Sequence, residues 1–302
     1  MSYCTRDTSN VPTIKIVGLS KHPDTQKYLM IMDFADMGTL EKRPSDCDGD
    51  WYTVLTYAIL LAKRLANLHE MGIEHRDLHP GNVVFHISYG VFLIDVGLSQ
   101  AVENTYSGNG VYGRPAYFPP ESFRQEQYTQ KSDIYCLGTL IWQLVVGVPP
   151  QGVAPFDSND LGKLREELIP GAPESFNNII SSCWHFHQEQ RPSAFEIYNQ
   201  LLECAADLAG VLSTSNLRDE YHILGALSIR PVPFSSETQS YIINRRINQQ
   251  NIDQSIDNSF QFVESTSSIS FSGSKYFTQK ELVQISKEYS RINYINSPNL
   301  GK

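Results

Sequence analysis

A short polar run between residues 75 and 95 carries side chains suited to phosphoryl transfer. The segment His-Arg-Asp-Leu-His-Pro-Gly-Asn occupies 75–82, and Asp95 opens the tripeptide Asp-Val-Gly. Transfer of a phosphoryl group to a hydroxyl needs a carboxylate beside the attacking oxygen and a Mg²⁺ ion that neutralises the developing charge. Asp77 is placed to accept the hydroxyl proton, whereas Asn82 and Asp95 offer the oxygen ligands that Mg²⁺ prefers. These three residues predict a site for Mg²⁺ and a phosphate group.

Further motifs downstream make a chance arrangement implausible, although each tripeptide alone is a weak signal. The segment 113–121 ends in Pro-Pro-Glu, Ser-Asp occurs at 132–133, and Arg-Pro occurs at 191–192. A buried carboxylate needs a partner, so we expect Glu121 and Arg191 to form a bidentate pair. Asp133 is expected to accept hydrogen bonds from backbone N–H groups of the loop that contains Asp77.

Patterns of apolar residues predict the elements that position these side chains. Residues 13–19 and 27–33 are strand-like and flank a turn with His22, Pro23 and Asp24, which indicates a hairpin. Residues 51–70 carry apolar side chains at a period close to 3.6 and stop before Gly72, which predicts an amphipathic helix. Further expected elements are short strands at 83–86 and 91–95, a buried helix at 131–146, and helices at 161–168, 174–185 and 193–208.

Composition excludes several classes of function. The formal net charge of −9 argues against a broad nucleic-acid surface, which requires clustered Lys and Arg. Five dispersed cysteines without Cys-x-x-Cys spacing indicate reduced thiols. The polar start has no signal-peptide pattern, and no apolar run is long enough for a membrane helix, so we expect a cytoplasmic protein. Nothing in the sequence indicates the oligomeric state.

The composition changes near residue 211. From there to 302, Ser, Asn, Gln, Ile and Tyr dominate, Leu is scarce and Trp is absent. Such a segment buries too little apolar surface to offset the entropy lost on ordering. We therefore expect 211–302 to be a low-complexity, mostly disordered tail. One exception is Thr278-Gln-Lys-Glu281, a capping-box pattern that predicts a short amphipathic helix, either docked elsewhere on the protein or only transient at the surface.

The order and spacing of these motifs resemble those of eukaryotic protein kinases. Residues 17–40 are especially similar to expanded fungal kinase-like families of the tyrosine-kinase-like group. The resemblance covers 11–210, after a polar leader at 1–10, and implies an α+β kinase-like fold. Residues 11–40 would be a remnant of the N-lobe (its fourth and fifth strands) with the hinge, and 41–210 a mainly α-helical C-lobe.

The resemblance also implies ATP and Mg²⁺ as cofactors and a protein as substrate. The implied catalytic residues are Asp77, His79, Asn82 and Asp95, with Asn82 and Asp95 on the metal. The implied nucleotide-binding residues are Met32 as gatekeeper, Asp33, Phe34 and Ala35 in the hinge, and Val84 beneath the adenine. The implied structural support comes from His75, Arg76, Glu121, Asp133 and Arg191.

Several features depart from the family pattern. Residues 1–12 hold neither the glycine-rich loop nor the lysine strand, so we expect an N-lobe truncated before its fourth strand. His79 replaces the usual lysine, Arg114 stands where a threonine is common, and Val96 replaces a phenylalanine. A Gly-x-Gly-x-x-Gly string at 108–113 falls inside the activation segment, where we expect a flexible loop. Candidate phosphorylation sites there are Thr105, Tyr106, Ser107 and Tyr112, unless these are unmodified surface residues.

Two functions from different classes remain open at this stage. The first is a protein kinase that transfers the ATP γ-phosphoryl group to protein hydroxyls. Ser/Thr is favoured over Tyr because Tyr117 stands where tyrosine kinases usually carry Trp. The second is a catalytically impaired, kinase-like binding or scaffold protein or fragment, because the glycine-rich loop and lysine are missing. With those parts missing, we expect this chain alone to turn over ATP barely, if at all.

Overall fold

The structure, a computed structural model, describes most of the chain from residue 13 onward. The described ranges are 13–42, 49–87, 90–96, 110–151, 154, 165–211, 220–260, 275–278, 281–282 and 284. Helices dominate these ranges, and the strands pair two by two in small antiparallel sheets. The α+β fold class and the predominance of helix after residue 50 are therefore confirmed. No helix in these ranges is both long and apolar enough to cross a bilayer.

The predicted N-terminal hairpin is present. Strand β1 (Ile16–Lys21) pairs antiparallel with β2 (Tyr28–Met32), and Lys21 lies opposite Tyr28 across the turn. The apolar side chains of both strands are exposed, including Leu19 at 74% and Tyr28 at 81%. The hairpin therefore contributes little to the core of the described residues.

Helix α1 (Trp51–Glu70) has the predicted bounds and forms the centre of the fold. The Asp50 side chain caps its first turn by accepting a hydrogen bond of 3.0 Å from the Thr53 N–H. The helix ends before Gly72, whose positive φ of 74° suits a residue without a side chain. The loop at 75–82, named the catalytic loop for the role that the sequence predicts, follows α1. It leads into β3 (Val83–His86) and β4 (Gly90–Leu93), which form the predicted second hairpin.

The helix expected at 161–168 is absent at 165–168, and 161–164 lie outside the described residues. The remaining helices of the predicted lobe share one hydrophobic core with α1. They are α2 (Pro120–Arg124), α3 (Gln130–Val146), α4 (Glu174–Cys183) and α5 (Ala194–Ala209). Helix α3 is buried on almost every side, as its apolar sequence predicts. Its first turn has a reciprocal cap between Thr129 and Ser132, and its last turn ends at Gly147 with a φ of 75°.

The prediction of a mostly disordered tail is wrong for residues 220–260. Helices α6 (Glu220–Ile229) and α7 (Ser236–Phe260) form there and pack onto the lobe. The average composition of this segment is polar, but five of its apolar side chains are buried: Ile223, Leu227, Phe234, Tyr241 and Ile242. Polar contacts add to this, since Glu220 accepts hydrogen bonds of 2.8 Å from both Lys63 and Tyr198.

A second correction concerns the glycine-containing string at 108–113. Residues 108–109 lie outside the described ranges, but Gly110–Gly113 form strand β5 instead of a flexible loop. This strand pairs antiparallel with β6 (Lys275–Thr278), which belongs to the segment that was expected to be disordered. Pairing between segments so distant in sequence leaves no local signal. Beyond β6, Glu281 and Leu282 are helical, and Leu282 is buried. Apart from Gln284, the rest of the predicted short helix lies outside the described residues.

We predict that Phe234→Ala lowers the free energy of unfolding by about 3–5 kcal/mol. Phe234 is buried, and its ring packs edge-on against Trp51 with centroids 4.9 Å apart. Chemical denaturation of the full chain measures the loss. The matched control is Phe195→Ala, the same change at an exposed position of α5, with an expected effect below about 1 kcal/mol. Equal effects of the two substitutions would show that the segment after α6 does not stabilise the lobe.

Candidate active site

The catalytic loop holds Asp77 and Asn82 against each other. The Asn82 side-chain N–H donates to the Asp77 backbone carbonyl at 2.9 Å and approaches the carboxylate oxygen Oδ2 at 3.4 Å. On the same carboxylate oxygen, the His79 Nε2 atom lies 3.6 Å away. The Gly81 N–H donates to His79 Nδ1 at 3.0 Å, which places the imidazole proton on the nitrogen that faces Asp77.

The side chain of Asp133 fixes the backbone of the catalytic loop. Its carboxylate, in the first turn of α3, is fully buried and accepts hydrogen bonds from the His75 and Arg76 N–H groups at 2.7 and 3.0 Å. His69 and Tyr128 bond to the same carboxylate at 2.9 and 2.7 Å. The bonds expected between Asp133 and the loop backbone are thus present.

The charge of Asp133 survives burial because of these partners. Desolvation alone would raise the pKa of the carboxyl, but the hydrogen bond and charge of His69, with the His75 contacts, outweigh it and hold the pKa below its usual value. The anchored loop also contains Arg76 in a left-handed conformation with a φ of 70°. A non-glycine residue there is strained, and the fixed loop holds it in place.

His75 is buried completely and stays neutral. Desolvation lowers the pKa of its imidazole despite the nearby charges of Asp133 and Asp77. Its Nδ1 atom accepts a long hydrogen bond of 3.4 Å from the Asp77 N–H. The Nε2 atom is buried with no hydrogen-bond partner among the described residues. Protonation of Nδ1 would therefore create a charge without contact to water. It would also remove the acceptor of the Asp77 N–H.

Asp95 follows the second hairpin, whose end is bound to the catalytic loop. It follows β4 after Ile94, whose N–H donates to the Asn82 carbonyl at 3.0 Å. Asp95 has a φ of 60°, a left-handed conformation that Asp tolerates better than most residues. Its side chain is exposed. Burial raises the pKa of the half-buried Tyr112, and the charges of Asp77 and Asp95 raise it further. Both carboxylates are therefore close enough to influence one phenol.

The oxygen donors at this place fit a hard divalent cation. Asn82 turns its side-chain nitrogen toward Asp77, which leaves its Oδ1 atom as a donor oxygen. Among the described residues no three His, Cys, Asp or Glu side chains converge as a metal-binding group. The ligands expected for Mg²⁺ are the Asn82 amide and the Asp95 carboxylate, with water completing the shell, so only one of them belongs to these four residue types.

The predicted nucleotide-binding residues divide into a buried part and an exposed part. Val84 is buried and clusters with Ile14 and Phe92, with Ala35 packed against this cluster. By contrast, Met32 and Phe34 are exposed at 40% and 81%. The N–H of Asp33 donates to the Lys15 carbonyl at 2.9 Å, so it serves the backbone of the hairpin. Sequence reasoning did not assign Ile14 or Phe92 to this cluster. Ile14 alternates with polar neighbours, whereas Phe92 stands in a continuous apolar run.

The expected pair between Glu121 and Arg191 is present. Two hydrogen bonds of 2.7 and 2.9 Å join the guanidinium to the carboxylate, and both side chains are fully buried. Arg191 also donates to the backbone carbonyls of His185, Lys131 and Phe186, which satisfies the rest of the guanidinium. The pair joins α2 to the loop before α5.

An ion pair that sequence reasoning missed also lies at the catalytic loop. Arg114 binds Glu41 through both carboxylate oxygens, at 2.5 and 3.3 Å. A methyl group added at Gly81 would lie 2.8 Å from the Arg114 Nη2 atom and 2.8 Å from the His79 ring. Arg114 therefore places a cation against the loop whose usual lysine is replaced by His79.

Of the candidate phosphorylation sites, Tyr112 lies in β5, whereas Thr105, Tyr106 and Ser107 lie outside the described residues.

We predict that the neutral state of His75 makes stability depend on pH. Its folded pKa lies below the value of about 6.5 in an unfolded chain, so the unfolded state binds more protons at acidic pH. The contribution of His75 is complete above pH 6.5 and decreases as the pH falls, by at most about 1.4 kcal/mol per unit. Urea titrations of the wild type and His75→Gln between pH 7.5 and 5 measure the difference.

The variant His75→Gln should show a shallower loss of stability over this range. The control is His187→Gln, at a half-exposed surface position, which should keep the wild-type pH dependence. An unchanged slope in His75→Gln would show that His75 is not held neutral.

Comparison with known proteins agrees with this arrangement. The family described as "Protein kinase domain" matches residues 8–202. A protein kinase and PP2C-like domain-containing protein of Arabidopsis thaliana is 27% identical over 61% of this chain and 34% of its own length. A probable serine/threonine-protein kinase of Dictyostelium discoideum is 33% identical over 48% of this chain and 16% of its own length.

A third relative, the serine/threonine/tyrosine-protein kinase HT1 of Arabidopsis thaliana, is 24% identical over 74% of this chain and 61% of its own length. The chain thus spans less than two thirds of each of these relatives. The closer resemblance to fungal families of the tyrosine-kinase-like group stays a prediction. Because the matched region includes the catalytic loop, Asp95, Glu121 and Arg191, this chain belongs to the protein kinase family.

Proposed function

We propose that this protein transfers the γ-phosphoryl group of ATP to hydroxyl groups of protein side chains. The observation that carries the proposal is the anchored catalytic loop, in which Asn82 bonds to Asp77 at 2.9 Å while Asp133 holds the backbone. Fixed carboxylate and amide groups beside a phosphate-binding position are what phosphoryl transfer requires, since catalysis there is mostly positioning and electrostatics.

In this proposal Asp77 orients the acceptor hydroxyl and takes its proton. The His79 Nε2 atom lies 3.6 Å from the Asp77 carboxylate, and the Asn82 side-chain N–H donates to the Asp77 backbone carbonyl, so both neighbours restrict the position of Asp77. A carboxylate held within reach of the acceptor hydroxyl is what general-base catalysis requires. The roles of Glu121 and Arg191 are structural, because both are buried in their mutual pair.

The residues that would hold Mg²⁺ are Asn82, through its Oδ1 atom, and Asp95. When bound, the ion would neutralise charge on the phosphate oxygens. The Arg114 guanidinium lies beside His79 and Gly81, where a fixed cation contributes electrostatic stabilisation in place of the missing lysine. The cluster of Ile14, Val84 and Phe92 is the apolar surface on which the adenine would lie, next to Ala35 of the hinge.

Ser and Thr hydroxyls are the favoured acceptors. Two of the relatives described above carry serine/threonine in their names, and one of these adds tyrosine. Tyr117, at the position where tyrosine kinases usually have Trp, is buried and donates to Gln143 at 2.7 Å. Because one relative is named for tyrosine as well, the proposal includes Tyr hydroxyls as second acceptors.

A binding role without turnover is the second candidate, and one observation favours it. The apolar side chains of β1 and β2, with Phe34 of the hinge, are exposed in the structure. Large exposed apolar surfaces are typical of interaction sites. This surface lies on the nucleotide side of the proposed site, where a partner would compete with ATP.

We predict that Asp77→Asn and Asp95→Asn each reduce phosphoryl transfer at least 100-fold. The first removes the proton acceptor, and the second removes a charged metal ligand, whose loss should also raise the Mg²⁺ concentration needed. Transfer of labelled phosphate from Mg²⁺-ATP to a basic test protein measures both effects. The control is Asp24→Asn, the same change in the exposed turn between β1 and β2, which should leave transfer unchanged.

Transfer that survives Asp77→Asn would contradict the proposed mechanism. If neither the wild type nor any variant transfers phosphate, a thermal-shift titration with Mg²⁺-ATP decides between the two candidates. Stabilisation by the nucleotide that Asp95→Asn abolishes would support a nucleotide site, whereas no stabilisation would favour the binding role.

A further inference from the structure

Strand β5 of the activation segment is paired with a strand from the C-terminal part of the chain. The register places Val111 opposite Phe277, Tyr112 opposite Tyr276 and Gly113 opposite Lys275. The two strands form a sheet of their own. Its β5 edge would otherwise present unpaired backbone groups to an incoming segment.

Phe277 anchors this strand in an aromatic pocket. Its side chain is fully buried, and its ring meets the Phe118 ring at 88° with centroids 6.1 Å apart. Phe118 in turn packs edge-on against Phe123 at 5.9 Å. A single aromatic side chain thus fills a pocket formed by the segment directly after β5. Perpendicular contacts of this kind favour aromatic over aliphatic side chains.

The pairing takes place beside the carboxylate assigned as the base. A methyl group added at Gly113, the last residue of β5, would lie 2.9 Å from Asp77 Oδ1 and 2.7 Å from the Phe118 ring. Gly113 also has a φ of 136°, so the close approach and the backbone both require glycine. Any segment paired with β5 therefore passes next to Asp77.

From this geometry we propose that β5, together with the Phe118–Phe123 pocket, is a docking edge for an extended peptide with an aromatic residue. We further propose that β6 is its intramolecular occupant, so that a peptide in trans must displace β6. Backbone pairing would supply affinity, and the pocket would supply specificity. The inference deepens the proposed function, on which it rests only in identifying that peptide as the substrate of the site.

The side chain that β6 buries supports the same occupant, because Phe277 of β6 packs in the aromatic pocket. The expected peptide therefore carries an aromatic residue at the matching position, as β6 itself does. A tethered strand acts at a high effective concentration, so it lowers the apparent affinity for a free peptide.

The test uses a fluorescent peptide with the sequence of residues 272–281 and measures its binding to the full chain without ATP. We expect Phe277→Ala, which removes the anchor of β6, to bind the peptide at least 10-fold more tightly than the wild type. The matched control is Phe234→Ala, the same change at another buried site away from β5, which should bind as the wild type does. A peptide that carries Ala in place of its own Phe should bind none of the proteins.

Equal binding of the peptide by all three proteins, or no binding by a folded Phe277→Ala variant, would overturn the proposal. If Phe277→Ala does not fold, the double variant Tyr112→Cys and Tyr276→Cys decides, because these residues are partners across the two strands. Formation of the disulfide should abolish peptide binding, and reduction should restore it. Binding that is unaffected by the disulfide would overturn the proposal. Since no step needs ATP, these results are independent of the phosphoryl-transfer assay.

Discussion

One buried carboxylate, that of Asp133, determines whether the proposed active site has a fixed shape. It lies in the first turn of the most buried helix and accepts four hydrogen bonds, two of them from consecutive backbone N–H groups of the catalytic loop. An ionised group inside the protein is tolerable only when its partners replace the lost water. The loop therefore cannot move away without stranding a charge, and the left-handed Arg76 is held despite its strain.

The rest of the lobe supports this constraint from two sides. Helix α1 supplies His69 to the same carboxylate, and the fully buried pair of Glu121 and Arg191 fixes α2. Removal of one partner from such a pair leaves an uncompensated charge, which typically costs about 3–5 kcal/mol. The loss of one member of the polar network therefore leaves another buried polar group without a partner.

Sequence reasoning was most successful where a physical rule acts locally or where a charge must be paired. The bounds of α1 follow from its apolar period and from Gly72, and the Asp133 and Glu121 contacts follow from the cost of an unpaired buried carboxylate. It failed for residues 220–260, since average polarity does not reveal that Arg245 lies over the Trp142 ring at 5.0 Å and binds Glu166 at 2.6 Å. Neither strand β6 nor the Arg114–Glu41 pair has a local pattern, because each partner is remote in sequence.

The most direct test of the central constraint is hydrogen exchange of the His75 and Arg76 backbone amides in Asp133→Asn. The amide of Asn offers one acceptor oxygen and no charge, so at least one of the two N–H groups loses its partner. Charge-assisted hydrogen bonds contribute about 1.5–3 kcal/mol, so we predict exchange at least 10-fold faster at these amides, with little change in the interior of α1. If both amides keep their wild-type rates, or accelerate only in proportion to those of α1, Asp133 does not hold the catalytic loop and the account is wrong.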